Sequence, residues 1–228
     1  MPSRPFHQQI RTWGKAAALA LALTSPLAAT ALAQDAPSTA DPTQPFAELT
    51  EQEQATLTDG QVIVTAERTG DSGQFIARVL VDASIEDTWQ VLTDYDNFEQ
   101  FLPNVEDSQL LESAEARRVF EQTNVIPVVP DVVDIRSRTV IESLESYPEN
   151  VSFSLVEGDV ESLDGVWQLI PVATTEGAEP DKVLVAHQVN INPGDSTPRV
   201  LFFSTYRMVL ENALVAAKQE TERRASQP

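Results

Sequence analysis

The sequence predicts an α+β protein: a curved antiparallel β-sheet wrapped around one long C-terminal α-helix, with two short helices after the first strand region. Three observations carry this. Runs of alternating or β-branched apolar residues fill most of the chain from Val62 to Ile191. The connections between them are short and polar, and short connections between consecutive strands mean antiparallel pairing. After Pro198 the apolar period changes to that of a helix, and this helix is the only element large enough to cover one face of such a sheet.

The chain of 228 residues opens with Arg4, Arg11 and Lys15, followed by an apolar, small-residue stretch from Ala16 to Ala33 that ends in Ala31-Leu32-Ala33. That order matches a cleavable secretory leader, so residues 1–33 are expected to be removed near Ala33 and the protein to be periplasmic or extracellular. The uninterrupted apolar part, Ala16 to Leu23, is too short for a membrane span, and no later run reads as long and apolar enough. There is no cysteine, hence no disulfide; a chain exported without disulfides suits a bacterial periplasm.

Residues 34–59 read as a flexible linker with a short helix. "QDAPSTADPTQP" has the composition of a tether. Thr50 and Glu53 then have the spacing of a capping box, and Asp59-Gly60 ends the helix. Residues 60–224 form one domain, and 225–228 are a tail. Val62 to Glu67 and Phe75 to Asp82 read as a hairpin around Thr69 to Gly73. Ser84 can cap a helix whose Ile85, Thr88, Trp89 and Leu92 share one face. Asp96 can cap a second, with Glu99 at its third position, and Pro103 closes it. Strands are expected at Asp107 to Glu112, Val119 to Ile126, Val132 to Leu144, Val151 to Val156, Val160 to Pro171 and Val183 to Ile191. In the last helix Thr197 reads as N-cap, and Val200, Phe203, Leu210, Leu214 and Ala217 as the apolar stripe.

Charge excludes one class of partner. The chain carries 35 acidic and 15 basic residues, and the leader holds three of the basic ones and no acid. Such a surface repels phosphate backbones, so nucleic acid is not a partner. A zinc site of the usual His/Cys kind cannot be built, because after His7 in the leader only His187 remains and cysteine is absent. "GDSG", Gly70 to Gly73, looks like a serine-protease nucleophile segment. The sole candidate base follows it rather than preceding it, and the segment serves as a turn.

Four residues stand out as ligand-binding candidates: Phe153, Trp167, His187 and Tyr206. His187 shares a strand face with Val183, Val185, Val189 and Ile191. It reads either as a hydrogen-bonded core histidine or as a polar anchor in a cavity between sheet and helix. Trp167 alternates with Leu163, Gly165 and Leu169 and fills core or lines that cavity. Tyr206 needs a hydroxyl partner if buried. Arg136 and Arg138 read as an exposed charged face. The aliphatic run Val125 to Val133 is broken by Pro127 and Pro130, which deny it a regular central strand. It reads as a bend over the core edge, a lid, or an apolar tip for transient membrane or protein contact.

"SIEDTWQVLTDYDNFEQFLPNVEDSQLLE" and "EGDVESLDGVWQLIPV", with the helix after "NINPGDSTP", resemble the START-like (SRPBCC) superfamily. The nearest branch is the polyketide cyclase/dehydrase and coenzyme Q-binding group. The resemblance covers roughly Gly60 to Arg224. It implies a helix-grip fold with an apolar cavity for a lipid, quinone, sterol or polyketide, and catalysis in a minority of members. Where coenzyme Q-binding members often carry Trp after Phe-Leu-Pro, this chain has Asn104. The leading expectation is a non-enzymatic carrier of a hydrophobic small molecule, needing no cofactor. The alternatives are a cyclase or dehydratase using His187 with Asp164 or Glu121, and an interaction module with a filled core that works through Val125 to Val133.

Overall fold

The structure is a computed structural model that describes residues 41–129, 133–175, 177–195 and 198–227. The expected leader, Thr197 and the middle of the Val125 to Val133 run lie outside the described residues. Eight strands form one antiparallel sheet in the order β1-β2-β8-β7-β6-β5-β4-β3. They are β1 (Ile63–Thr69), β2 (Ser72–Val81), β3 (Val105–Ala114), β4 (Arg117–Val129), β5 (Val133–Ser146), β6 (Asn150–Gly158), β7 (Ser162–Val172) and β8 (Lys182–Asn192). The helices are α1 (Glu51–Thr58), α2 (Ile85–Leu92), α3 (Phe98–Phe101) and α4 (Arg199–Ala225). This is the α+β helix-grip arrangement.

The β1–β2 turn is only Gly70-Asp71, with Thr69 paired to Ser72 and Gly70 at φ +61°. A left-handed residue in a two-residue loop matches the twist of the flanking strands, and glycine adopts it without strain. α2 and α3 carry the chain from β2 across to the far edge at β3. The sheet is then built back strand by strand until β8 pairs with β2. α4 lies in the concave face. Phe203, Leu210, Leu214 and Ala217 pack on Phe75, Val79, Val185 and Val189 in the main core. By length and composition α4 could cross a membrane, contrary to the expectation that no later run is long and apolar enough; here its apolar face is the one the sheet grips. Val200, expected in the stripe, is 76 % exposed, whereas Phe202 and Phe203 of the same part of α4 turn into the main core.

β2 is buried on both faces. Its outward Leu80 packs with Leu184 and Val172 beneath Leu49 and Leu57 of the N-terminal segment. Arg78, also outward, is 2 % exposed and donates to the Asp41 carbonyl. From residue 41 onward the stretch read as a linker thus straps the convex face. Thr50 and Glu53 form the expected capping box.

Two local expectations change. α3 is capped from Asn97, with no side-chain bond to its own backbone. Asp96 instead accepts from the Leu110 backbone N–H of β3 at 2.7 Å, a tertiary donor that outcompetes the local one. β4 continues through Pro127, paired to Asp134, with an irregularity before Val129. Neighbouring strands stop earlier, β3 at Val105 opposite Asn124 and β6 at Gly158 opposite Thr139. The hairpin end is therefore a two-stranded ribbon, and a proline is tolerated at its bulge.

Candidate functional site

Alternation along the strands and the pitch of α4 turn one set of side chains toward the space between sheet and helix. That space holds a cavity of about 190 Å³, room for an organic molecule rather than one or two waters. Phe153, Trp167, His187 and Tyr206 all line it. The structure therefore brings together, from β6, β7, β8 and α4, the four residues singled out in the sequence. Phe98, Phe101 and Leu102 of the α3 region contribute a further aromatic wall.

His187 sits directly across from Trp167 in the β7–β8 register. The two rings stack with centroids 3.8 Å apart and planes 19° apart, and the Phe153 ring stacks with His187 at 5.5 Å. Gly165 makes this possible. A Cβ there would lie 2.2 Å from the Gln188 carbonyl oxygen and 2.5 Å from Cζ of Phe153, so only glycine leaves the ring its place. His187 is 6 % exposed. Burial pushes its pKa down to about 3, opposed weakly by the Val166 backbone, so the ring is neutral at pH 7. Nδ1 has no hydrogen-bond partner.

Tyr206 stacks on Phe202 at 5.3 Å and meets Phe75 edge-on at 5.2 Å. Burial alone raises its pKa, which keeps the phenol protonated. Its hydroxyl makes no hydrogen bond among the described residues. At the far end Asp94 pairs with Arg224 of α4 at 2.8 Å. Arg224 also lies over the Phe101 ring, 5.5 Å from its centroid. Together these contacts tie α3, and its share of the cavity wall, to the end of α4.

The carboxylates considered as partners for His187 are elsewhere. Asp164 is exposed and accepts from Asn190 Nδ2 at 2.8 Å. Glu121 is paired to Arg138, which also meets Glu157. Arg136 pairs with Glu106 at 2.7 Å. Among the described residues no Asp, Glu, Lys or Arg lines the cavity. Sequence reasoning missed a group that does line it: Gln122 and Asn124 of β4, Ser137 and Thr139 of β5, and Asn104. Both faces of β4 read as polar, so alternation gave no sign of which face turned inward.

No curated protein matches the chain. Solved structures share its fold at low identity. TTHA0849 from Thermus thermophilus is 16 % identical, with 67 % of this chain and 99 % of that one covered and a TM-score of 0.57. A STAR-related lipid transfer protein from Xanthomonas axonopodis is 21 % identical over 70 % and 93 % of the two chains, TM-score 0.55. The Zhui aromatase/cyclase from Streptomyces sp. R1128 is 18 % identical over 67 % and 95 %, TM-score 0.53. At these identities the likeness is one of fold. The family model described as polyketide cyclase / dehydrase and lipid transport matches residues 81–219, from the end of β2 into the last turns of α4. The chain belongs to that family, within the START-like superfamily.

Proposed function

We propose that the protein is an exported, non-catalytic binder or carrier of a hydrophobic small molecule held between sheet and α4. The observation that carries this reading is the cavity itself: aromatic and aliphatic on most of its surface, with no charged side chain on its wall among the described residues. Binding there is driven by apolar burial, worth roughly 25 cal/mol per Å². Cyclase or dehydratase chemistry has less support. His187 is neutral, stacked and without a carboxylate to orient it, whereas general acid–base work calls for a group titrating near the working pH.

Native mass spectrometry of the protein, purified without detergent from a bacterium that expresses it with the leader, tests both halves of the proposal. The expected result is a chain starting at Gln34 that carries a reproducible added mass. A chain retaining residues 1–33 would remove export by cleavage. A bare mass that persists after incubation with lipids and quinones would remove the carrier.

The projecting β4–β5 ribbon supports a secondary role as the tip that touches a membrane or a delivery partner. Val128→Ser with Val129→Ser is expected to reduce flotation with lipid vesicles. Equal flotation would remove that role.

A further inference from the structure

One stretch of the cavity wall departs from the rest. In the β4–β5 register Phe120 faces Ile141, Gln122 faces Thr139 and Asn124 faces Ser137. All six side chains line the cavity. The first pair belongs to an apolar cluster with Tyr95 and Phe98. One strand step further toward the hairpin tip, the wall becomes amide and hydroxyl. Ser137 and Thr139 are buried, at 8 % and 4 % exposure. Buried polar groups cost free energy unless they find partners.

The partners within the protein do not use up what this patch offers. Gln122 Nε2 donates to Asn124 Oδ1 at 2.6 Å. Thr139 Oγ1 donates to the Gln122 backbone carbonyl at 3.4 Å, which leaves the Gln122 side-chain Oε1 as an acceptor and the Asn124 amide N–H groups as donors, side by side, with no further partner among the described residues. Asn104 closes the same end: its Nδ2 donates to the Val125 carbonyl at 3.1 Å. The nearest cations, Arg136 and Arg138, alternate onto the opposite face of β5, where Glu106 and Glu121 pair with them.

Resting on the ligand-binding reading above, we infer that the cavity takes a molecule with an apolar body and one uncharged hydroxyl- or amide-type head, and that the head sits on the patch of Gln122, Asn124, Ser137 and Thr139. An adjacent acceptor and donor match a group that both gives and receives a hydrogen bond. A carboxylate or phosphate head would enter a wall with no counter-charge and lose its hydration uncompensated. The apolar body lies against Phe153, Trp167 and the inner face of α4.

Three aromatic probes of one shape test this: naphthalene, 2-naphthol and 2-naphthoate, titrated at pH 7 against the protein with its fluorescence as readout. 2-Naphthol is expected to bind about tenfold more tightly than naphthalene, the worth of one or two well-made hydrogen bonds. 2-Naphthoate is expected to bind more weakly than naphthalene. Gln122→Leu with Asn124→Leu should bring 2-naphthol to the affinity of naphthalene and leave naphthalene within about twofold. Ser137→Ala with Thr139→Val provides a second variant, and the three-probe comparison on the unaltered protein needs no variant at all. Equal binding of naphthalene and 2-naphthol would mean that the patch holds only water. 2-Naphthoate binding as tightly as 2-naphthol would remove the preference for a neutral head. Either result overturns the head-group assignment while leaving a ligand-binding cavity in place. If none of the three binds, the ligand-binding reading fails, and this inference fails with it.

Discussion

At the scale of single residues, His187 is the clearest case of environment overriding intrinsic chemistry. An imidazole in the open chain titrates near 6.5, whereas this one is held to about 3 by burial between aromatic rings. Between those values the unfolded chain binds a proton that the folded chain refuses. Stability therefore rises with pH across the window, and is lost as pH falls from 6.5 toward 3. One such proton gives a slope of about 1.4 kcal/mol per pH unit. Urea midpoints for the protein and for His187→Gln, measured at several pH values between about 7 and 4, are expected to diverge, the unaltered protein falling faster. Carboxylates that titrate lower are common to both and cancel. Parallel curves would show that the ring is solvated. His187 was legible as a buried residue because Val183, Val185, Val189 and Ile191 flank it at period two. Its stacking on Trp167 was not legible, since the β7–β8 register is set by the whole sheet.

At the scale of elements, local signals succeeded wherever the partner was also local. The Thr50–Glu53 box closes within one helical turn, with Glu53 N–H to Thr50 Oγ1 at 3.2 Å and Thr50 N–H to Glu53 at 2.9 Å. Thr50→Ala is expected to cost about 1 kcal/mol in chemical denaturation. A loss within error would show that α1 is held by its packing alone. Asp96 failed as a cap for the opposite reason: its acceptor capacity went to β3, fourteen residues away in the chain. Residues 34–45 read as a tether from their Pro, Ser, Thr and Asp content, and Phe46, Leu49 and Leu57, spaced among polar residues, give no sign in the sequence of a packed strap. Their meaning came only with the convex face of β2 and β8 that they cover. The polar patch on β4 and β5 was invisible for a related reason: a strand polar on both faces has no alternation to read, and only the sheet's curvature says which face is inside.

At the scale of the molecule, the reading of a sheet around a C-terminal helix needed only strand periodicity, short connections and one long amphipathic segment. The arrangement that follows from them is less obvious. The pairing of β2 with β8 joins Gln74 to Asn190, 116 residues apart, and both strands lie at the centre of the core. A chain ending at Asp181 keeps seven of the eight strands, five of them (β7 to β3) in unbroken order and β1 with β2 as a separate pair, yet lacks both the strand that joins β2 to β7 and the helix they enclose. Such a chain is expected to show no cooperative thermal transition by circular dichroism; a sharp transition would mean that β3 to β7 fold alone.

The β2–β8 seam also acts in time. A polypeptide is made from its N-terminus, and contacts between distant segments pay their loop-closure entropy before they return anything. The strand that leaves the ribosome second has no neighbour on one side until the last strand emerges. During synthesis, Phe75, Val79 and Val81 therefore wait with their faces uncovered. The schedule of manufacture leaves this sheet open until β8 and α4 have emerged, and a helper that shields those faces has all of that interval in which to find them.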